Sequence, residues 1–280
     1  SYLVTYSRFP TETNIYNKDG DFISNLQKVP LIEELPKGFM SVRTGKRSFS
    51  WRPDKGASLT YVTALDSGDP SKKVDFRDEV YELNYPFSGK GKFILKTINR
   101  FSGIDWGTKD MAIAYDTWWN TRNRKSYVFN PSNPNIKPKI ISDRNYQDTY
   151  SDPGSFLRSR NEFNRSVLKM HYGNIFLRGQ GFSPSGQFPF IDKVNTKTFE
   201  KTRVYQSSYT DKIESIIDYD PKKNQLTVSI ESPSEYPNYY TKKVKSGKLE
   251  KLTNLKNPFL ELQNVKKEKI TYLRNDGVEL

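Results

Sequence analysis

One histidine, His171, is the sole imidazole available as a general base, and it sits in the strand-like run Leu168-Lys169-Met170-His171-Tyr172. A lone imidazole does acid–base work only if the fold brings it a nucleophile and an orienting carboxylate. No G-x-S-x-G elbow is present to supply the nucleophile. The nearest segment, Gly181-Phe182-Ser183-Pro184-Ser185-Gly186, has the wrong spacing and reads as a Gly/Pro loop. The chain has no cysteine, which excludes thiolate nucleophiles, disulfides and Cys-ligated zinc. A single histidine also argues against a zinc site built from the protein alone. The carboxylate pairs Asp75/Asp78 and Asp218/Asp220 have spacings that suit turns and strand ends as well as proton transfer. Gly89-Lys90-Gly91-Lys92 lacks the Gly-Lys-Ser/Thr ending and following helix of a phosphate loop. Asn164-Arg165-Ser166 matches a glycosylation sequon, a pattern common by chance. The residues thus point to no catalytic constellation and to no cofactor or metal, so function is expected from a surface, a channel or another domain.

The elements that would position such a surface repeat along the chain. Strand-like runs centred on Leu59, Met111, Ile175 and Leu226 recur roughly every fifty to sixty residues, the pitch of a β-propeller blade. The first unit has candidate strands Leu3–Ser7, Asn14–Asn17 and Phe22–Leu26 around the turn Lys18-Asp19-Gly20-Asp21. The second opens at Ser48–Asp54 and continues with strands at 58–64, 78–83 and 91–97. The third opens at Phe101–Gly107, with strands at 111–118, 124–129 and 138–142. Trp51 and Trp106 share one local setting in these two openings, and Trp51 is expected to plug the space between adjacent blades. The fourth unit has a loop at 148–154, a candidate short helix over Ser155–Asn164, and strands at 166–171, 174–179, 188–194 and 199–206. The fifth has strands at 213–219, 226–231, 239–244 and 249–252. Runs such as Met111-Ala112-Ile113-Ala114-Tyr115 alternate poorly, as strands apolar on both faces must. The fold class is therefore all-β, a partial β-propeller of about four complete four-stranded blades plus one incomplete blade. A β-sandwich is the alternative. Segments near Phe259–Leu262 or Lys269–Leu273 are candidates for the strand the first unit lacks.

The 280 residues carry a net charge of +13 and are 14% aromatic, so a core is affordable beneath polar loops. The positive charge would suit a polyanion, but the lysines are dispersed beside strands and turns and no nucleic-acid recognition signature occurs. No nucleic-acid partner is expected. No membrane partner is expected either, because no apolar run nears the ~20 residues that span a bilayer. Residues 1–8 lack the basic and apolar regions of a signal peptide. The Asp276-Gly277 turn followed by Val278-Glu279-Leu280 reads as a hairpin cut short, and the chain as a fragment of a longer protein.

Specific segments carry a resemblance. They include Gly45-Lys46-Arg47-Ser48-Phe49-Ser50-Trp51-Arg52-Pro53-Asp54-Lys55, Ala64-Leu65-Asp66-Ser67-Gly68-Asp69 and Phe76-Arg77-Asp78-Glu79-Val80-Tyr81. Arg100–Gly107, Trp118-Trp119-Asn120-Thr121-Arg122 and Tyr150-Ser151-Asp152-Pro153-Gly154-Ser155 follow in the same order. Glu231-Ser232-Pro233, Pro237-Asn238-Tyr239-Tyr240 and Tyr272–Leu280 complete the series. Over nearly its whole length the chain resembles the propeller of the prolyl oligopeptidase family of serine peptidases, and most of all its glutamyl endopeptidase branch.

The resemblance implies that residues 1–262 are propeller blades in an incomplete ring. Residues 263–280 would then be a linker and the start of a C-terminal α/β-hydrolase domain, which carries the Ser-Asp-His triad in that family. The chain lacks the triad and is expected to be non-catalytic alone. Its implied role is to gate and position peptide substrate for a peptidase that cleaves oligopeptides, with glutamate as the recognised residue. The hydrolase domain is the implied partner. Family habit and the absence of Cys lean toward a periplasmic or secreted location. A glutamate substrate calls for arginine, whose planar fork binds a carboxylate bidentately. Candidates by motif are Arg158, Arg160 and Arg165 after Asp152-Pro153-Gly154, with Arg122 and Arg124 beside Trp118-Trp119 as alternatives. A stand-alone propeller that binds protein or glycan partners is the competing function.

Overall fold

The computed structural model describes residues 5–262, 265 and 268–280. It is all-β: 23 strands in small antiparallel sheets, with no α-helix among the described residues. The chain divides into two compact units, Ser1–Gly179 with Asp192–Thr202, and Gln180–Ile191 with Arg203–Leu280.

In the first unit, β1 (Thr11–Tyr16) and β2 (Phe22–Val29) form a two-stranded sheet. The next sheet runs in sequence order through β3 (Arg47–Trp51), β4 (Ser58–Ala64), β5 (Asp78–Asn84) and β6 (Lys92–Thr97). The third repeats that order in β7 (Arg100–Thr108), β8 (Met111–Trp118), β9 (Asn123–Phe129) and β10 (Lys139–Asn145). Then come β11 (Ser155–Phe156), the hairpin β12 (Arg158–Arg160) with β13 (Ser166–Leu168), β14 (Met170–His171) and β15 (Asn174–Gly179). The small hairpin β16 (Phe182–Ser183) with β17 (Gly186–Gln187), which belongs to the second unit, precedes β18 (Phe190–Asn195) and β19 (Lys201–Gln206), each of which has residues in both units. The fourth sheet has the order β11-β15-β18-β19, with β14 also paired to β15. In the second unit, β20 (Ile213–Asp220), β21 (Gln225–Glu231), β22 (Asn238–Lys243) and β23 (Leu249–Lys251) again pair in sequence order.

Within the first unit the middle strands bury both faces. Leu59, Tyr61, Tyr81 and Leu83 pack with Ile15 and Leu26 of the preceding sheet. Val62 and Val80, on the alternate face of the same strands, pack with Trp106, Ala112, Ala114, Tyr127 and Phe129 of the following one. Met111 and Ile113, alternating with those alanines, meet Leu168, Ile175, Leu177 and Val194. Successive sheets are thus stacked face to face, which is why these strands show no clean alternation of apolar and polar residues.

A buried ionic cluster ties the second sheet to the third. Arg100 donates to Asp66 at 2.8 and 2.9 Å, to Asp78 at 3.1 Å and to the Met40 carbonyl at 2.8 Å. Arg77 adds a 2.7 Å bond to Asp66, Arg47 pairs with Asp78, and the Phe101 N–H donates to Asp78 at 2.8 Å. Burial pushes the Asp66 carboxyl up, but bonds from Arg100 and Arg77, the Arg100 charge and the Gly68 N–H bring it below the usual aspartate value.

Three expectations change. The Ser155–Asn164 segment is not helical. Ser155 and Phe156 pair with Arg178 and Leu177, and Arg158–Arg160 pairs with Ser166–Leu168. The segment has no apolar stripe at helical spacing to hold a helix against this pairing. In the first candidate strand, Leu3 and Val4 lie outside the described residues, and Tyr6–Arg8 is a 3-10 turn closed by Arg8 N–H to Thr5 O at 2.9 Å. The sheet of β1 and β2 gains no strand from the C-terminal candidates. Leu260–Leu262 is a 3-10 turn, and Leu273 bridges Glu279 across the Asp276-Gly277 turn. Residues 263, 264, 266 and 267, where the boundary to a linker was expected, lie outside the described residues.

A candidate peptide cleft between two tryptophans and two arginines

A cleft of about 650 Å³ opens in the first unit, lined by Ser50, Trp51, Pro53, Ala57, Ile104, Trp106, Arg160, Asn164, Arg165 and Ser166. Three elements make it: edge strand β3 with its following turn, edge strand β7, and the β12–β13 hairpin. Asn161 shapes the hairpin tip, its Oδ1 accepting the N–H groups of Phe163 (3.1 Å) and Arg165 (2.9 Å). This side-chain turn lets Asn164 adopt its left-handed φ of 55°. The same Asn161 donates through Nδ2 to the Pro53 carbonyl at 2.8 Å, and Arg165 donates to the Arg52 carbonyl at 3.3 Å. Those two bonds strap the hairpin across the β3 end of the second sheet.

The charges of the cleft do not cancel. Arg52 is buried and neutralised: it grips Asp54 at 3.0 and 2.6 Å, pairs with Glu82 at 3.1 Å, and lies 4.0 Å over the Trp106 ring. Burial raises the Glu82 carboxyl, but Lys55, Ser58 and the Arg52 charge bring it below its ordinary value. Arg160 and Arg165 differ. Both are exposed and bond only carbonyls, Arg160 to Asn164 O at 2.9 Å and Arg165 as above. Among the described residues neither has an ion-pair partner, and no carboxylate lines the cleft. Glu162, on the same hairpin, is exposed and outside the lining.

The other predicted arginines lie elsewhere. Arg158 is paired with Asp105, whose second oxygen accepts the Tyr115 hydroxyl at 2.7 Å. Arg122 stacks 3.8 Å over Trp119 and donates to its carbonyl at 2.7 Å, forming a separate surface cluster with Phe39, 5.5 Å from Trp119. Arg124 is exposed on β9, opposite Thr117 and Arg144. The fold therefore gathers only Arg160 and Arg165 into one cleft. His171 lies with its ring 4.1 Å from the Tyr172 ring and has no ion-pair partner among the described residues. No cluster of metal-ligating side chains occurs among the described residues.

Sequence reasoning missed the other wall. Trp51 does not plug the space between sheets: it is 51% exposed, whereas Trp106 is 5% exposed and fills that role. Trp51 ends an edge strand. Its ring is held edge-on against buried Phe87, with centroids 5.5 Å apart and planes at 84°. Spacing alone made the two tryptophans equivalent, and nothing in their flanking residues separates them.

No described helix is long and apolar enough to cross a membrane, which leaves strand-built membrane spans unaddressed. The chain matches no protein-family profile. It is 35% identical, over its whole length, to a protein named probable chloroplastic glutamyl endopeptidase from Oryza sativa subsp. japonica. It is likewise 32% identical to the protein of that name from Arabidopsis thaliana. The chain spans only 32% and 31% of those relatives' lengths. A chain built of small antiparallel sheets, with a cleft that carries two arginines and no carboxylate, is thus similar along its full length to about one third of each of two proteins named probable glutamyl endopeptidase.

Proposed function

We propose that this chain is the non-catalytic propeller portion of a serine peptidase of the prolyl oligopeptidase type, gating access and positioning oligopeptides cut at glutamate. The observation that carries this reading is the full-length similarity to two proteins named glutamyl endopeptidase. The stacked sheets support it physically. A gate that excludes folded proteins needs only a stiff entrance, and face-to-face packing supplies stiffness. Arg160 and Arg165 are the groups offered to a substrate carboxylate, because their charges have no acidic partner among the described residues. Bond cleavage belongs to a C-terminal α/β-hydrolase domain, with residues 263–280 leading into it. A periplasmic or secreted site of action goes with this reading, while the names of the two relatives place those proteins in chloroplasts.

The test is a chromogenic peptide ending in glutamate. The 280-residue chain alone should leave it intact. The longer natural polypeptide that contains the chain should cleave it, and should encode a G-x-S-x-G segment after Leu280. Turnover by the isolated chain would overturn the proposal. So would a longer polypeptide with no such segment.

A further inference from the structure

We propose that Trp51 is a specificity-determining residue: the cleft selects peptides in which a large apolar side chain lies next to the acidic one. This deepens the peptide-handling reading above and rests on it. The cleft has two chemically distinct walls, the arginines Arg160 and Arg165 on the hairpin and an apolar wall of Trp51, Pro53, Ala57 and Ile104. A carboxylate placed on the arginines leaves its neighbour along an extended peptide within reach of the apolar wall, since the volume of about 650 Å³ falls among ordinary ligand clefts.

The contrast between the two tryptophans carries the assignment. Trp106 has one face covered by Arg52 at 4.0 Å and is otherwise sunk in the core between sheets. At 5% exposed it reaches the cleft with only a sliver of its ring. Trp51 has the same place at the start of the preceding sheet but remains half exposed. Its edge contact with Phe87 fixes the ring without covering it. A half-exposed indole in the same cleft as two arginines leaves apolar surface that an apolar side chain docking there would cover. Charge complementarity restricts the occupant to an acidic peptide, because the cleft lining holds arginines and no carboxylate.

The experiment measures binding to the 280-residue chain by titration calorimetry, so it needs no catalysis. The probes are N-acetylated, C-amidated tetrapeptides that carry glutamate next to phenylalanine in either order, glutamate next to glycine, or glutamine next to phenylalanine. The wild-type chain should bind a glutamate–phenylalanine peptide about tenfold more tightly than the glutamate–glycine peptide. Trp51→Ala should erase that preference, weakening glutamate–phenylalanine binding about tenfold more than glutamate–glycine binding, and Trp51→Phe should restore most of it. Circular dichroism establishes that both variants fold. If wild type binds both acidic peptides equally, or Trp51→Ala weakens both equally, the Trp51 assignment falls while the peptide reading stands. If wild type binds no acidic peptide, both fall. If the glutamine peptide binds as well as its glutamate counterpart, the acidic half is wrong and the proposal falls with it.

Discussion

Arg100→Met tests whether the buried ionic cluster holds the stacked sheets in place. The Arg100 guanidinium is 4% exposed and bonds Asp66, Asp78 and the Met40 carbonyl. Methionine keeps much of the side-chain length but leaves two buried carboxylates with one cation fewer. Removing one partner from such a cluster costs about 3–5 kcal/mol. Asp66 would keep Arg77 and the Gly68 N–H, and Asp78 would keep Arg47 and the Phe101 N–H. The loss should therefore fall at the low end, about 3 kcal/mol. All four tryptophans, Trp51, Trp106, Trp118 and Trp119, belong to the first compact unit, so their fluorescence reports its unfolding. At neutral pH the urea midpoint should drop by roughly 1–2 M for a slope near 2 kcal/mol per molar. The pH dependence gives a second readout. The folded Asp66 pKa is depressed, so its stabilisation is present above the ordinary aspartate value and is lost as pH falls below about 3.9 and on through the folded pKa. Arg100→Met removes part of that depression and should flatten the acid limb. A loss under about 1 kcal/mol with an unchanged acid limb would refute the view that this cluster locks the sheets together.

Three further outcomes follow from single positions. Gly68→Ala places a Cβ 1.8 Å from the Val42 carbonyl oxygen on a backbone at φ +78°, and should cost more than about 2 kcal/mol in the same urea assay. In the second unit, Lys242 donates to buried Glu214 at 2.8 Å and to the Tyr205 hydroxyl at 2.6 Å; Lys242→Met should destabilise that unit by about 3 kcal/mol, read as faster amide exchange in β20–β22. Burial pushes the Asp116 carboxyl up against the opposing bonds from Tyr127 and Asn99, and it has no ion-pair partner among the described residues. A raised folded pKa favours the protonated folded state, so this group's contribution declines as pH rises above about 3.9 and through the folded value, and Asp116→Asn should abolish that decline in a stability–pH profile.

Most strands were legible because burial on both faces leaves a mark: short, densely apolar runs such as Met111–Tyr115, separated by Gly, Asn and Asp turns. The hairpin at 158–168 was less legible. Of the ten residues from Ser155 to Asn164 seven are polar or charged, only Phe156, Leu157 and Phe163 being apolar, and the hairpin's strand character comes from pairing and from the Asn161 turn. The site was legible in residue type and not in assembly. Arginines near Asp152-Pro153-Gly154 were identifiable, but only tertiary structure separates Arg158, taken by Asp105, from Arg160 and Arg165. The pairing partner lies on β7, far away in sequence, and leaves no local signature. The same holds for Trp51, whose exposure depends on which sheets happen to flank its strand end.

That division has a mechanical cause. A middle strand such as β4 or β8 has a hydrogen-bonded neighbour on each side and an apolar sheet against its faces, so almost any polar or oversized substitution there meets a buried partner. An edge strand such as β3 or β7 is paired on one side only, and its terminal residues escape the packing demand. The β12–β13 hairpin pairs with neither large sheet and is fixed to the second by two bonds to backbone carbonyls, from Asn161 and Arg165. Those acceptors are present whatever the side chains of residues 52 and 53, so the strap itself imposes little on the residues around it. Apart from buried Trp106, the cleft is assembled from these less constrained parts. Its side chains are therefore free to vary with the ligand while the stacked middle strands stay constant. Stability and recognition should consequently separate under mutation: changes at Trp51 or Arg160 should alter binding with little effect on the urea midpoint, and changes at Val62 or Ala112 should do the reverse.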